Sequence, residues 1–416
     1  MANQRHVFVH IGDTHIGPGD RLQDKLKALD QIIDWCEACS ARGELAAILW
    51  PGDLFHQKST IEDRNALAPR LQELANLSPV VVVYGNHDAP GDLDILGDLA
   101  ARYPIHISSR PDVIRIDCAT GVTACVACFP YPHRAGLVGA GVAHDDLGQT
   151  ARQLLEPQFA LFAAELQAAK DNGEIPLFVG HVNVGGSLSS TGQPQIGREI
   201  ELDPGLLGRI YAAVYKGLNH IHKHQVVAGD TVYAGSICRQ DFGENEPKGF
   251  IAITVTFDSC DWELIPLDVP AQYLVQGQLS RDGFVIDQVD GVSNADEFPK
   301  TWAASDVRCR YHYKRSERGI LDEAHIMAEF AGCRSLKLDP IAEMEREVRA
   351  PEVAAAITVE AKAEAYCGRR NVAWTPGLVA KLTALQQQTP EAILSGVQAH
   401  AVGDSHVSAD ARRQVA

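Results

Sequence analysis

Five short polar clusters contain the residues that could carry out chemistry, and each cluster follows an apolar run that is typical of a strand. In chain order they are "DTH" at 13–15, "GDLFH" at 52–56, "GNHD" at 85–88, "GH" at 180–181 and "HIHKH" at 220–224. In open α/β sheets, ligand sites form beyond the carboxyl ends of the strands. We therefore expect these clusters, which are far apart in the sequence, to converge at one edge of a sheet.

The side chains in these clusters are of the types that bind transition metals. The oxygen donors and imidazoles are Asp13, Asp53, Asn86, His15, His181, His220 and His222. A mixed oxygen and nitrogen set suits Mn, Fe or Zn better than Ca or Mg alone. The set is too large for one ion. Two divalent ions that share a carboxylate would use all of it, and such pairs catalyse phosphoester hydrolysis.

Each cluster alone has a simpler interpretation as the polar end of a strand, and it is their joint occurrence in this order that argues for a metal site. In an extended segment, His220, His222 and His224 would all project from one face. His224 follows the motif, and for this residue a polar position at the start of a strand is the better interpretation.

Strands and helices alternate in the part of the chain that carries the clusters. Apolar runs predict strands at 6–11, 45–50, 80–84, 175–180 and 211–217, and helical patterns predict helices at 22–41, 62–77, 92–102 and 150–172. This alternation predicts an α/β domain with largely parallel central strands. After residue 225 the apolar runs are short and separated by turns, so we expect antiparallel strands that complete a second sheet.

The pattern changes along the chain predict four segments. A catalytic domain spans 1–267 and ends near the linker "PLDVPAQ" at 266–272. Residues 268–338 have their own strand and helix signals and form a small α/β domain. Residues 339–398 form C-terminal helices, broken at "WTPG", with the second helix near 378–396. The tail at 399–416 is expected to be disordered.

Composition describes a globular protein without a membrane segment. Of the 416 residues, 45% are hydrophobic and 22% are charged, and the start of the chain has no apolar signal region. We therefore expect a cytoplasmic protein. The net charge of −17 argues against a generally basic surface, although it leaves room for a local basic track.

The ten cysteines favour reduced thiols over a disulfide framework, since the chain begins without a signal peptide. Two C-x-x-C pairs occur, at Cys36/Cys39 and Cys125/Cys128. A structural zinc site is one interpretation of such a pair. Cys36 and Cys39 lie in a helical pattern, where small apolar residues three apart more often belong to a core.

The five clusters in this order resemble the motifs of the calcineurin-like metallophosphoesterase superfamily. Within it, "GDLFH" and "YAGSICRQDFGENEPKGF" at 233–250 resemble the SbcD-type nuclease subunit of the double-strand-break repair complex of bacteria and phages. The resemblance covers about residues 1–257. It implies a two-sheet sandwich flanked by helices, followed by a small α/β capping domain and C-terminal helices.

The resemblance also implies a role for each site residue. One metal ion would be held by Asp13, His15 and His222, the other by Asn86, His181 and His220, with Asp53 bridging the two. His87 would act on the leaving oxygen without binding metal, Asp88 would orient His87, and His56 would line the site and help to place DNA.

One position departs from the family pattern. The family usually has glycine before the first histidine of the last cluster, and this chain has Asn219. Asn is the residue after glycine that best tolerates a left-handed backbone, so we expect the turn to survive.

The function implied is a Mn-dependent DNA nuclease, with two divalent ions, that acts as an exonuclease on duplex ends and an endonuclease on single strands. The basic segment "RCRYHYKRSER" at 308–318 supplies candidate DNA contacts at Arg308, Arg310, Lys314 and Arg315. An ordinary solvated strand explains this segment equally well. Two alternatives stay open: a metallophosphoesterase for a small or non-DNA phosphoester, and an inactive partner-binding scaffold, against which the complete ligand set argues.

The resemblance implies two protein partners. Leu67, Leu71, Leu74, Leu93 and Leu96 on the predicted helices 62–77 and 92–102 would pack against a second copy in a homodimer, or would instead face the sheet. The C-terminal helices would bind an SbcC-type ATPase, or would instead fold back onto the small domain.

Overall fold

The computed structural model describes residues 4–17, 19, 21–133, 147–190, 200–292, 295–343 and 350–388, and within them it does not describe the side chains of 147–153 and 297. The chain divides into two compact units, Met1–Glu343 and Met344–Ala416. The predicted tail at 399–416 and the end of the predicted helix at 378–396 lie outside the described residues.

The first unit contains eighteen described strands and five described α-helices. The strands are β1 (His6–His10), β2 (Leu45–Trp50), β3 (Val80–Val83), β4 (Ile105–Ser108), β5 (Asp112–Asp117), β6 (Thr123–Phe129), β7 (Ile175–His181), β8 (Asn183–Val184), β9 (Glu201–Leu202), β10 (Tyr215–Asn219), β11 (Gln225–Val227), β12 (Thr231–Tyr233), β13 (Gly249–Val255), β14 (Cys260–Pro266), β15 (Gln272–Ser280), β16 (Gly283–Val289), β17 (Asp306–Lys314) and β18 (Ser335–Glu343). The helices are α1 (Leu22–Ala41), α2 (Ile61–Leu77), α3 (Leu147–Asp171), α4 (Pro204–Arg209) and α5 (Ala324–Glu329).

Two six-stranded sheets form the larger part of this unit. Their strand orders are β14-β13-β1-β2-β3-β4 and β11-β12-β10-β7-β6-β5. The inner strands β1 to β4 run parallel to one another, as do β6, β7, β10 and β12, whereas β5, β11, β13 and β14 are antiparallel to their neighbours. The predicted α/β fold with largely parallel central strands is confirmed.

Three apolar cores fix the layers of the sandwich. Phe8 and Leu49 of the first sheet and Val126 and Leu177 of the second lie in one buried cluster, which fills the space between the sheets. A second cluster packs α1 and α2 against the other face of the first sheet, and a third packs α3 and α4 against the second sheet. Each sheet is therefore buried on both faces, as its nearly continuous apolar strands require.

The strand pairing corrects one expectation about the region after residue 225. β11 and β12 join the second sheet, as expected, but β12 runs parallel to β10 rather than antiparallel. β13 pairs antiparallel with β1 and returns the chain to the first sheet. The second sheet already holds β5, β6, β7 and β10. Alternation within one strand cannot tell which sheet it joins, because both sheets bury both faces.

The leucines proposed for a dimer interface face the core instead. Leu67, Leu71, Leu74, Leu93 and Leu96 are all buried among the side chains of the first sheet and its helices. The predicted helix at 92–102 is only a short 3₁₀ turn, Asp94–Asp98. The glycine in "DILGD" has low helix propensity, which disfavours a longer helix.

The two C-x-x-C pairs belong to apolar cores. Cys36 and Cys39 are buried on α1 in one cluster. Cys125 and Cys128 lie three apart on β6, so their side chains point to opposite faces of the sheet and into different clusters. Burial raises the pKa of these thiols, which keeps them neutral.

A four-stranded sheet of order β16-β15-β17-β18 follows, with its own core around Val275, Val307 and Phe330. β18 runs to Glu343 and pairs along its whole length with β17. The sheet therefore extends beyond residue 338, and the segment 339–398, which was predicted to be helical, begins as strand. The partition into domains stays a prediction.

The second unit contains three short described helices, α6 (Pro351–Ala355), α7 (Val359–Arg369) and α8 (Pro376–Gln386). None of the residues that the structure describes in these helices is buried within the unit. Across the described part of the chain, no helix has the length and apolar content needed to cross a membrane.

Candidate metal centre

The five polar clusters lie together at the carboxyl ends of strands from both sheets. Asp13 follows β1, Asp53 follows β2 and Asn86 follows β3. His181 is the last residue of β7, and His220 follows β10. Because each of these strands runs parallel to its neighbour within its sheet, the strands deliver their ends to one place.

The described contacts sort the donor atoms into two groups. In one group, His15 Nε2 and His222 Nε2 are 3.0 Å apart. In the other, Asn86 Oδ1 lies 2.9 Å from both His181 Nε2 and His220 Nδ1. Two ligands on one ion, each bound at about 2.0–2.2 Å, would lie at such separations. The donor set therefore fits transition-metal cations.

Two buried carboxylates lie at the base of these groups. Asp53 Oδ2 is 3.2 Å from His181 Nε2 and 3.7 Å from His15 Nε2, so it reaches both groups. Asp13 accepts a hydrogen bond from the backbone N–H of His220 at 3.1 Å. The ligand atoms of Asp13, Asp53 and His181 all lie within 4.8 Å of one another. This part of the chain is a possible site for divalent cations.

Three of these residues have a left-handed backbone that non-glycine residues rarely adopt. The φ angles are 47° at His15, 49° at Asp53 and 103° at His220. Such conformations cost about 1–3 kcal/mol each and persist where the surroundings hold them. Here the Asp53 carbonyl accepts from the backbone N–H of His15 at 2.9 Å, and Asp13 holds His220 as described. Each strained turn is fixed by another turn of the site.

Residues outside the donor set orient two of the histidine rings by bonding the ring nitrogen that faces away from the centre. His181 Nδ1 donates to the Pro51 carbonyl at 2.8 Å, which leaves Nε2 facing the centre. His222 Nδ1 lies 3.0 Å from Glu244 Oε1, and Glu244 forms a buried ion pair with Lys248 at 2.6 Å. A carboxylate behind an imidazole fixes the orientation of the ring and makes it a better ligand.

Glu244 stays ionised although it is buried. Burial raises the pKa of its carboxyl, but hydrogen bonding to His222 and the charge of Lys248 outweigh burial and lower the pKa to about 2. The charge behind His222 is therefore constant over the neutral range.

A buried polar network fixes the residue before the last cluster. His10 Nδ1 is 2.9 Å from the Tyr215 hydroxyl, and His10 Nε2 is 3.0 Å from Asn219 Oδ1. The Asn219 amide also donates to the Ile11 carbonyl at 3.1 Å. Asn219 therefore ends β10 in strand geometry, and His220 takes the left-handed turn. The turn survives, as expected, but the left-handed conformation lies at His220 and not at Asn219.

His87 and His56 lie at the more open side of the centre. Their rings are stacked with centroids 5.5 Å apart, and His87 Nδ1 donates to the His56 carbonyl at 2.6 Å. The backbone N–H of His87 donates to Asp53 Oδ1 at 2.9 Å. The nitrogens of His15, His56 and His87 also come within 4.8 Å of one another. His87 thus adjoins the donor set with Nε2 unused among the described contacts.

Asp88 connects two loops through backbone hydrogen bonds and does not orient His87. Its two carboxylate oxygens accept from the backbone N–H of Gly85 at 2.9 Å and of Phe55 at 3.1 Å. Burial, with Asp53 adding to it, raises the pKa of Asp88 to about 7. The described contacts of Asp88 include none with His87, which differs from the role that the resemblance implied.

Burial and neighbouring charges act in opposite directions on the pKa values of the buried residues of the centre. Burial lowers the pKa of His15 well below its ordinary value, against the opposing effect of Asp53. Burial would also lower the pKa of His181, but the carboxylates of Asp53 and Asp13 raise it to about 9. Burial would raise the pKa of Asp53, but His181 and His15 outweigh burial and hold it below its ordinary value. Metal ligation therefore requires His181 to release its proton.

The four basic residues proposed for DNA contact lie in or just after β17. Arg308 forms an ion pair with Asp339 of β18 at 2.5 Å, and Arg310 is 3.9 Å from the same carboxylate. Lys314 and Arg315 are exposed. The alternation along β17 places Arg308, Arg310 and Lys314 on one face, and their positive charge is partly offset by Asp339.

Several residues around the centre were not anticipated from the sequence. Lys25, buried on α1, donates to the His15 carbonyl at 2.5 Å and supports its strained turn. The Tyr131 ring lies 5.5 Å from that of His220, measured between centroids. Glu244 and Lys248 lie in the segment 233–250 that carried the resemblance, which was the one available signal. Nothing in the sequence distinguishes Lys25, in a helical pattern, or Tyr131, after a strand, as a residue of the centre.

The calcineurin-like phosphoesterase family matches residues 6–225, which is more than half of the chain and contains all seven donor residues. The chain belongs to this family. As a member, it is a metal-dependent phosphodiesterase.

Three similar curated proteins are each named as the SbcD component of the nuclease SbcCD. The one from Staphylococcus saprophyticus is 23% identical over 278 residues, which are 62% of this chain and 68% of the relative. The one from Escherichia coli K12 is 24% identical over 316 residues, 71% of this chain and 76% of the relative. The one from Bacillus subtilis 168 is 24% identical over 259 residues, 57% and 63% of the two chains.

Proposed function

We propose that this protein is a Mn-dependent DNA nuclease of double-strand-break repair, an exonuclease on duplex ends and an endonuclease on single strands. The observation that carries the proposal is the pair of donor groups that share Asp53. His15 and His222 belong to one group, and His181 and Asn86 to the other. The mixed oxygen and nitrogen donors suit Mn.

Each residue at the centre then has a task in phosphodiester hydrolysis. Asp13, His15 and His222 would hold one cation, Asn86, His181 and His220 the other, and Asp53 both. Two cations so held supply Lewis acidity and an activated water. His87, whose Nδ1 is fixed by the His56 carbonyl, would present Nε2 to the leaving oxygen and donate a proton to it. Asp88 would keep the loops of Asp53 and His87 in register.

DNA is the proposed substrate because of the named relatives and the basic face of β17. The relatives are called nucleases. Arg310, Lys314 and Arg315 are at least partly exposed and would contact phosphates, whereas Arg308 would act mainly through its ion pair with Asp339. His56, exposed beside His87, would contact the strand near the scissile bond.

The proposal includes two protein partners and a cytoplasmic location. The relatives' name refers to a complex with a second component, and an SbcC-type ATPase would bind the C-terminal helices, whose apolar residues Ile357, Val359 and Tyr366 are exposed within their unit. A homodimer would have to use exposed apolar residues such as Ile61 and Ile95 rather than the buried leucines. Sedimentation at micromolar concentration tests the dimer, and a monomer would contradict it.

The nuclease assay uses three substrates with MnCl₂ and with EDTA: an end-labelled DNA hairpin, a single-stranded circle and a chromogenic phosphodiester. We expect cleavage of all three with Mn and none with EDTA. Cleavage of the chromogenic ester alone would favour a non-DNA phosphoester as the substrate. Cleavage of none at any divalent metal would contradict the proposed function and favour an inactive scaffold.

A further inference from the structure

A cavity of about 270 Å³ opens directly beside the candidate metal centre. Its lining includes His220 and His222, one from each donor group, together with Ser190, Asp241, Phe242 and Glu244. A phosphodiester placed at the donor groups would therefore lie beside this cavity. None of the residues assigned above to DNA contact lines it.

An aromatic ring of fixed orientation forms one wall of the cavity. The Arg21 guanidinium carbon lies over the Phe242 ring, 5.9 Å from its centroid. Arg21 is itself held by a hydrogen bond of 2.7 Å to the Arg239 carbonyl. A cation over one face of an aromatic ring is attracted by its quadrupole and restrains the ring. Phe242 is thus a restrained aromatic side chain in the wall of the cavity.

The charges around the cavity select against an anionic occupant. Asp241 and Glu244 both line it, and no lysine or arginine does so among the described residues. Glu244 is already paired with His222 and Lys248, whereas the Asp241 side chain is exposed and can accept hydrogen bonds. A neutral ring with N–H donors fits these walls, and a phosphate does not.

We propose that this cavity binds a single unpaired nucleobase, that of the nucleotide whose phosphodiester lies at the metal centre. The proposal rests on the proposed nuclease function and deepens it. Phe242 stacks on the base and Asp241 accepts from its N–H groups. Stacking on an aromatic side chain tolerates any base, because every base has a π-face.

The size of the cavity determines whether it can bind single-stranded or duplex DNA. Pockets that bury a drug-sized ligand measure about 300–1,000 Å³. This cavity is slightly smaller, so it takes one ring system and not a base pair. A base in a duplex must leave its stack to enter, and this costs least where the DNA is already single-stranded. Single-stranded and frayed DNA are therefore the substrates that use it.

The test compares two p-nitrophenyl phosphodiesters that share the scissile bond, one carrying thymidine and the other a methyl group. The wild-type full chain with MnCl₂ is expected to prefer the thymidine ester. Phe242→Ala is expected to raise KM for the thymidine ester about 10-fold, the effect of losing one stacked base, with kcat and the methyl ester unchanged. Phe242→Tyr keeps the ring and should behave as wild type. Phe257→Ala, at a phenylalanine that is 92% exposed between β13 and β14, is the matched control.

A second readout does not depend on turnover. Saturation-transfer NMR with thymidine and the metal-free full chain should show contact with the base protons in wild type and Phe257→Ala and not in Phe242→Ala. A wild type that cleaves both esters equally, or a Phe242→Ala variant that loses both alike, overturns the base-binding cavity and leaves the nuclease proposal in place. A wild type that cleaves neither ester overturns the nuclease proposal itself.

Discussion

At the scale of single residues, the centre depends on side chains that are fixed before any cation binds. His15, Asp53 and His220 hold a strained backbone, and hydrogen bonds from neighbouring turns retain it. Rings whose outer nitrogen is already bonded, such as His181 and His222, can offer only the other nitrogen to the centre. Ligands fixed in this way lose little freedom on binding.

His87 is expected to act in turnover and not in metal binding. Its Nδ1 is bonded to the His56 carbonyl, and its backbone N–H to Asp53, so the ring is positioned without an ion. His87→Gln should retain the metal content of wild type and lose about 100-fold or more in kcat, the usual effect of removing a general acid. Metal analysis and single-strand cleavage measure the two quantities.

The control for this prediction is His325→Gln, which changes an exposed histidine on α5. Turnover of His87→Gln within a few-fold of this control would remove His87 from the proton transfer. Loss of metal from His87→Gln would instead make it a ligand.

At the scale of elements, a buried histidine on β1 connects the two sheets below the centre. His10 bridges to Tyr215 and Asn219 of β10, and so supports the turn at His220. Burial lowers the pKa of His10 to about 4, against a value of about 6.5 in the unfolded chain. The folded state thus favours neutral His10. Its contribution to stability is complete above about pH 6.5 and is lost as the pH falls toward 4.

The expected loss in the free energy of unfolding is on the order of 3 kcal/mol once both states are protonated, and about 2 kcal/mol of it falls between pH 6.5 and pH 5. Thermal unfolding in EDTA at pH 7.5 and at pH 5 measures this second part. His10→Gln should be less stable than wild type at pH 7.5, and its Tm should fall less between the two pH values. If the Tm of His10→Gln and of the control His325→Gln fall by the same amount, His10 does not contribute to the acid sensitivity.

The sequence predicts elements well where apolar runs are long, and less well elsewhere. β1, β2, α1 and α2 lie within a residue of their predicted bounds, because buried strands and long amphipathic helices have clear periodicity. β4, β5, β14, β16 and β18 were missed, since they are short or carry polar residues. β6 was missed because the alanines of "TACVACF" have low strand propensity. β10 begins four residues later than predicted, since "IYAA" at 210–213 packs as a turn.

The candidate site was also predicted only in part. The order of strand-end clusters predicts that the donor residues converge, and the structure brings them within hydrogen-bonding distance of one another. The contacts behind them were not predictable. Asp88 bonds backbone N–H groups whose direction only the folded loops define, and Lys25 reaches His15 from a helix.

At the scale of the whole molecule, the end of the first unit decides where the chain can be cut. β18 pairs with β17 as far as Glu343, and Asp339 of β18 holds Arg308. A chain ending after Glu343 should keep the Tm and the Mn-dependent single-strand cleavage of the full chain. A chain ending after Leu338 removes half of β18 and should unfold at lower temperature.

The same pair of truncations tests the partner. Both should fail to co-purify with an SbcC-type ATPase, because both lack the C-terminal helices. If the chain ending at Glu343 still binds the ATPase, the partner surface lies in the first unit. If that chain loses all cleavage and melts early, the C-terminal helices contribute to folding.

The number of cations bound by wild type and by Asp53→Ala tests whether two cations share Asp53, because its carboxylate reaches both donor groups. Each protein is dialysed against MnCl₂, separated from free ion and measured by elemental analysis. We expect two ions per wild-type chain and one or none in Asp53→Ala, with circular dichroism showing that both are folded. Two tightly bound ions in Asp53→Ala, or none in wild type, would contradict this expectation.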